Sequence, residues 1–377
     1  MRVAVAIDSF KGSLTSLQAG EAVREAILRV DPAAAVDVRP LADGGEGTVE
    51  ALCAGLDGRV TEVTVTGPLG DPVTARYGIL PDGVTAVVEM SAASGITLVP
   101  PDRRDPLLTT TFGVGELLRD AIDRGCRQFL VGIGGSATND GGVGMLQALG
   151  FTFADVNGDP ISPGARGLAA LRRISDEGVL PALRECRFRV ACDVTNPLCG
   201  ETGCSAVFAP QKGGTPATIP QMDAWLARYV ALAAEIAPAA DPTYPGAGAA
   251  GGMGFAFMTF TNAVLDSGVR IILEETHLED YIRQADLVVT GEGRLDGQTV
   301  MGKAPIGVAA LAKKYGKPVI GFSGCVTDDA LACNAHGIDA FFPILRAPCT
   351  LEEAMEPATA AHNLTQTAYQ VFRLLKM

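Results

Sequence analysis

Arg2-Val3-Ala4-Val5-Ala6-Ile7 is followed at once by Asp8-Ser9-Phe10-Lys11-Gly12-Ser13. The first stretch carries an unbroken apolar run, which suits a strand buried on both faces of a parallel sheet. Asp8 interrupts it too early for the core of a signal peptide. In the second stretch the chain turns polar, and Ser13 or Thr15 can cap a helix running to about Arg29. Leu17, Val23, Ile27 and Val30 fall on one stripe of that helix. A strand at residues 36–41 and a helix at 49–56 complete an opening β-α-β-α unit.

The middle of the chain reads differently. Residues 59–66, 73–80 and 84–90 alternate apolar and polar side chains between Gly-Pro and Pro-Asp-Gly turns, which predicts an antiparallel meander. Helices are predicted at 111–124, after Asp140 and at 219–236, with strands at 128–131 and 188–192. Residues 237–254 read as a loop with a glycine-rich turn into the next helix. The last hundred residues return to alternation: strands at 285–290, 318–322 and 340–344, helices at 304–315, 328–335 and 351–375. Because β-α units open and close the chain, the expected fold is two α/β domains. Residues 1–58 plus 280–377 form a discontinuous flavodoxin-like parallel-sheet domain, and residues 59–279 an inserted mixed-sheet α/β domain. The active site is expected in the cleft between them, with closure that excludes water.

Composition removes several classes of function. The 377 residues are 47% hydrophobic and 19% charged, which excludes a disordered or collagen-like chain. No run approaches the ~18 apolar residues of a membrane span, so a soluble, cytoplasmic protein is expected. Thirty Lys plus Arg against 43 Asp plus Glu give a net charge of −13, and no basic run marks a nucleic-acid face. Nine cysteines without C-x-x-C spacing, far from the three histidines, argue for reduced thiols rather than zinc. The histidines also stand apart from Ser or Cys motifs, against a Ser-His-Asp hydrolase. The chemistry is left to carboxylates, amides, backbone and the seven lysines, four of which adjoin glycine.

Five loops concentrate those groups. The first, Asp8 to Ser13, stands at the carboxyl end of a strand, where Lys11 and a helix N-terminus suit an anion. In the second, Asp43-Gly44-Gly45-Glu46-Gly47-Thr48, three glycines allow close backbone approach between two carboxylates. The third, Gly132-Ile133-Gly134-Gly135-Ser136-Ala137-Thr138-Asn139-Asp140-Gly141-Gly142, offers backbone N–H groups, hydroxyls and an amide to a phosphate chain. In the fourth, Asp193 and Asn196 could share Mg²⁺, or Asp193 could take a hydroxyl proton. Downstream, Pro210-Gln211-Lys212-Gly213-Gly214 adds a glycine-flanked lysine of little specificity by itself. The fifth follows Leu287-Val288-Val289-Thr290 and combines Glu292, Arg294, Asp296 and Lys303, two anions and two cations suited to metal and phosphate. Its Gly297 to Lys303 matches G-x-x-x-x-G-K. It is not read as a P-loop, because Ala304 lacks the hydroxyl and the strand is expected to end before Gly291.

Together the segments DSFKGSL (8–14), LADGGEGT (41–48), GIGGSATNDGG (132–142), CDVTNPLCG (192–200), GAGAAGGMG (246–254) and GEGRLDGQTVMGKAP (291–305) resemble the type-1 glycerate kinase family, over nearly the whole chain. Ala209 stands where glycine is expected, which bears on local loop shape. The resemblance implies phosphorylation of D-glycerate by ATP and Mg²⁺, usually to 2-phosphoglycerate, in glyoxylate or sugar-acid catabolism. The chemistry of the loop residues fits that activity: Asp193, Lys11 and Asp296 are expected to act in catalysis, and Gly134, Gly135, Ser136, Thr138, Asn139 and Lys303 at the nucleotide phosphates. Asp8, Asp43, Arg294 and Asn196 are assigned to the substrate, and Asp193 and Glu292 to the metal. Which carboxylate is base and which is ligand stays open. A monomer or homodimer is expected. Two other classes compete: an NAD-dependent oxidoreductase built on Gly132-x-Gly134-x-x-Ala137, and a non-catalytic sugar-acid or nucleotide sensor on the same scaffold.

Overall fold

The computed structural model describes residues 1–42, 44–45 and 47–377. Its strands are β1 (Arg2–Ile7), β2 (Ala35–Val38), β3 (Arg59–Thr66), β4 (Pro72–Ile79), β5 (Thr85–Glu89), β6 (Gln128–Gly132), β7 (Thr152–Ala154), β8 (Arg173–Ser175), β9 (Arg187–Ala191), β10 (Ala263–Asp266), β11 (Leu287–Leu295), β12 (Val319–Val326) and β13 (Ala340–Pro343). The chain divides into two compact units, one of Met1–Asp43, Glu50–Asp57 and Val269–Met377, the other of Gly44–Val49 and Gly58–Gly268. No helix among the described residues is long and apolar enough to cross a membrane.

The first unit holds an all-parallel sheet in the order β13-β12-β11-β1-β2. Counted along this unit alone, that is the flavodoxin-like order 2-1-3-4-5, whose switch point lies between β1 and β11. Val3 to Ile7 are buried, as a strand covered on both faces requires. The helix Ser16–Val30 starts at a capping box in which Thr15 and Gln18 bond each other's backbone. It buries Ala19, Val23, Ala26 and Ile27 in a core shared with Leu364, Ala368 and Phe372 of the helix Pro357–Leu375.

Two expectations here need correction. Strand β11 does not end at Thr290 but runs to Leu295, paired with β12 as far as Leu295↔Val326. Gly291 and Gly293 read as loop residues, yet Gly291 is what lets the strand continue. A Cβ there would lie 2.0 Å from the Phe322 carbonyl oxygen. The single helix expected at 351–375 is two, Leu351–Met355 and Pro357–Leu375. Pro357 forces Glu356 out of the helical region (φ −60°, ψ 124°), and the Glu356 carboxylate caps the second helix through the Thr359 amide.

The second unit holds a mixed sheet in the order β10-β9-β6-β5-β4-β3. The meander β3-β4-β5 is antiparallel, as its alternation and turns predict. Strands β5, β6, β9 and β10 are parallel, so their carboxyl ends open along one edge. Phe129 of β6 stacks on Phe188 of β9 with ring centroids 4.8 Å apart, in a core that includes Phe153, Tyr229 and Phe257. The helix Ile219–Ile236 matches its prediction, whereas the helix after Asp140 is only Val143–Ala148. The helix Ala249–Phe260 opens on a left-handed turn through Ala250, Gly251 and Gly252.

Candidate active site

In the first unit the expected loops meet at the switch point. The Asp8 amide donates to the Gly291 carbonyl at 2.9 Å, and the buried Asp8 carboxylate accepts from the Ser9 amide at 2.7 Å. A Cβ on Gly293 would lie only 3.3 Å from Phe10 Cα, so the two segments run side by side. Lys11 is exposed on the turn closed by the Phe10↔Leu14 bridge.

Glu292, Arg294, Asp296 and Lys303 come together beside this turn. Glu292 Oε1 accepts from the Thr299 hydroxyl at 2.7 Å, and Oε2 lies 3.4 Å from Lys303 Nζ. Lys303 Nζ is also 3.8 Å from Asp296 Oδ1, while Arg294 Nε is 3.4 Å from Asp296 Oδ2. Asp296 is held further by the Gln298 amide at 3.0 Å. Burial raises the Glu292 carboxyl above its ordinary range, opposed by the Thr299 hydroxyl and the Lys303 charge. Lys303 is the N-cap of the helix Ala304–Lys314, so the cluster faces the positive end of a helix. Because β11 reaches Leu295, one of the two objections to a P-loop falls: a strand does lead directly into Gly297. The other stands, since Ala304 supplies no hydroxyl, and residues Thr299–Met301 curl into a 3₁₀ turn.

In the second unit the glycine loop leaves β6 at Gly132, on the edge formed by the parallel strands. It interlocks with the Gly44-Gly45 segment: a Cβ on Gly132 would lie 2.2 Å from the Gly44 carbonyl oxygen, and one on Gly134 3.7 Å from Gly45 Cα. The neighbouring amides of Gly47 and Val49 donate to the buried Glu89 carboxylate at 3.3 and 2.7 Å. Asp43, assigned above to the substrate, lies outside the described residues.

Gly134 and Gly135 are exposed, but the chain then dives inward, and Thr138, Asn139 and Asp140 are buried. Asn139 Nδ2 donates to Ser205 Oγ at 2.9 Å. Asp140 Oδ2 accepts from the Thr111 amide and hydroxyl, both at 2.9 Å, and from the Gly144 amide at 3.3 Å; Oδ1 takes the Gly142 amide at 3.1 Å. Burial raises this carboxyl, with those four bonds pulling against it. The dinucleotide reading fails at this point, because five residues pack inward before Val143 starts a six-residue helix.

Lys212, at the end of the turn Pro210–Lys212, is 2% exposed. Its ammonium donates to Ser136 Oγ at 2.8 Å and to the Thr138 carbonyl at 2.7 Å. Asp193 stands two residues past the end of β9, exposed, its Oδ1 accepting from the Gly268 amide at 3.1 Å. The Asn196 amide is used inside its loop, donating to the Thr202 carbonyl at 2.8 Å. Glu89, Thr299 and Lys212 were not among the residues singled out from the sequence as site residues. Only the glycine beside Lys212 marked it.

A cation flanked by two carboxylates at a helix N-terminus, and a glycine loop backed by a buried lysine, are both equipment for handling oxyanions. Glu292 and Asp296 present hard oxygen donors on either side of one ammonium, a donor set that fits Mg²⁺. Among the described residues no group of three or more His, Cys, Asp or Glu converges as a metal site. A cation that arrives on phosphates needs only one or two carboxylates.

A profile of the glycerate kinase family matches residues 3–376. A glycerate kinase of Haemophilus influenzae is 47% identical over 375 residues, covering 100% of this chain and 99% of its own. A glycerate 2-kinase of Escherichia coli is 48% identical over 372 residues, covering 97% and 98%. The crystal structure of a presumptive glycerate kinase 2 from Salmonella typhimurium LT2 superimposes with a TM-score of 0.92 at 48% identity, covering 100% of this chain and 98% of that one. With agreement from end to end in both sequence and fold, this chain belongs to the glycerate kinase family.

Proposed function

We propose that this protein transfers the γ-phosphoryl group of ATP to the 2-hydroxyl of D-glycerate, as a cytoplasmic step of glyoxylate or sugar-acid catabolism. The observation that carries the phosphotransfer reading is Lys303, set between Glu292 and Asp296 at the N-cap position of the helix Ala304–Lys314. Phosphoryl transfer asks a protein mainly to align two oxygens and stabilise spread negative charge. Lys303 and the helix N-terminus neutralise phosphate oxygens, with the exposed Gly134 and Gly135 amides offering further donors. Glu292 or Asp296 would hold the metal, which would supply charge neutralisation on the phosphates. Arg294 or Lys11 receives the glycerate carboxylate, and Asp193 acts as a metal ligand or orients the attacking hydroxyl. The choice of glycerate and of the 2-position rests on the names of the relatives.

An ADP-release assay with ATP, Mg²⁺ and D-glycerate tests the reading, with phosphorus NMR to identify the product. ADP release that depends on D-glycerate and yields 2-phosphoglycerate is expected. Release without glycerate dependence overturns the substrate, and a 3-phosphate product overturns the position.

A further inference from the structure

Burying a lysine costs free energy unless its charge is used. Lys212 is buried and held in place from behind: Gly213 has φ 96°, and a Cβ there would lie 2.0 Å from the Arg104 carbonyl oxygen. The loop it touches does not need it for its course. Met90 donates to the Gly132 carbonyl, Ile96 to that of Gly135 and the Thr109 hydroxyl to that of Ala137, while the Ala137 amide donates to Ser94. What Lys212 adds is a direction. Since Ser136 Oγ accepts from the ammonium, its own proton is left to donate. Among the described residues that hydroxyl donates to no carbonyl, carboxylate or other hydroxyl, and Ser136 directly follows the exposed Gly134 and Gly135 in the chain. Thr138 Oγ1 and Asn139 Oδ1 of the same loop are also buried without a hydrogen-bond partner among the described residues.

We infer that Lys212 is a positioning residue, which fixes Ser136 as an acceptor so that the Ser136 hydroxyl donates to an oxyanion bound at Gly134 and Gly135. The inference rests on the phosphotransfer reading and deepens it. The oxyanion is a phosphate of the donor or the carboxylate of glycerate, and the kinetic constants tell them apart.

The test compares wild type, Lys212→Met, Ser136→Ala and the double variant, each checked for folding by circular dichroism. Losing a hydrogen bond to a charged group should lower kcat/KM by about 10- to 100-fold in each single variant. Because the two act in series, the double variant should fall no more than about twofold below the poorer single. A rise in KM for ATP identifies the phosphate, and a rise in KM for D-glycerate the carboxylate. Losses that multiply, or a Lys212→Met variant that melts earlier but keeps native kcat/KM, overturn the inference. Should Lys212→Met fail to fold, Ser136→Ala decides alone, and native kcat/KM there overturns it. If the wild type turns over no glycerate, the functional reading fails separately. Calorimetric titration with ATP, inorganic tripolyphosphate and D-glycerate then still applies. Weaker binding of any of them by both single variants supports the inference, and unchanged binding of all three overturns it.

Discussion

Lys303 Nζ lies 3.4 Å from Glu292 Oε2, joining the middle of a parallel strand to the N-cap position of the helix that follows it. The pair is asymmetric. Glu292 is buried, with its second oxygen taken by Thr299, whereas the lysine is about one-third exposed. The glutamate thus carries the cost of burial, and the lysine stays open to solvent.

That asymmetry separates stability from activity at Glu292. Its carboxyl is raised by burial, so between its ordinary range and the raised value the folded chain binds more protons than the unfolded one. Stability therefore falls as pH rises through that window. Glu292→Gln removes the cost and keeps an acceptor for Thr299. The melting temperature at pH 7 should hold or rise while kcat falls by ~10²-fold or more, the scale of lost transition-state charge stabilisation. A variant that keeps native kcat would place Glu292 outside the reaction.

The glycine loops give a paired prediction. Gly132→Ala puts a methyl group 2.2 Å from the Gly44 carbonyl, where backbone must move, and should cost about 1–3 kcal/mol in a urea melt. Gly134→Ala has room, its Cβ meeting only Gly45 Cα at 3.7 Å. It should fold as the wild type does but crowd the exposed amides, raising KM for ATP. Equal stability of the two variants would mean that the interlock of the loops is slack.

How much of this was readable depended on the range of the interactions. The buried run 2–7, the alternation of the meander and the stripe of the first helix are local patterns, and they appear with nearly the expected bounds. Strands β7, β8 and β10 span three or four residues, too few to show a period. Strand β11 looks shorter in the sequence than in the fold, because glycine marks a turn as readily as a close approach. The four charged residues of the fifth loop lie within twelve positions, so their meeting was legible. Lys212 bonds Ser136 from 76 positions away, and Glu89 bonds Val49 from 40, so neither pairing leaves a local trace.

Lys212 also sets a pH dependence. Burial lowers its ammonium from 10.5 to about 8, with the nearby Cys204 and Asp140 opposing the shift. Below about pH 8 both folded and unfolded chains carry the proton, and the full cost of burial is present. Between about 8 and 10.5 only the unfolded chain carries it, so stability rises with pH. Lys212→Met removes this slope. From pH 7.5 to 9.5 the wild type should gain about 2 kcal/mol relative to the variant in urea unfolding. Parallel curves for the two proteins would show that Lys212 stays charged in the fold throughout.

The role proposed for Asp193 can be divided into two by one substitution. It stands past the carboxyl end of β9, exposed, with Oδ1 on the Gly268 amide. Asp193→Asn keeps a side-chain oxygen for that amide and removes the charge, so the melting temperature should move little. A general base contributes ~10²–10⁴-fold, and kcat should fall by about that much. Raising Mg²⁺ should restore part of the loss if the carboxylate is a metal ligand, because mass action refills a weakened site. It should restore none if the carboxylate takes the proton, since an amide accepts no proton at any metal concentration. A variant with more than about half the native kcat would show that the charge of Asp193 has no part in the transfer.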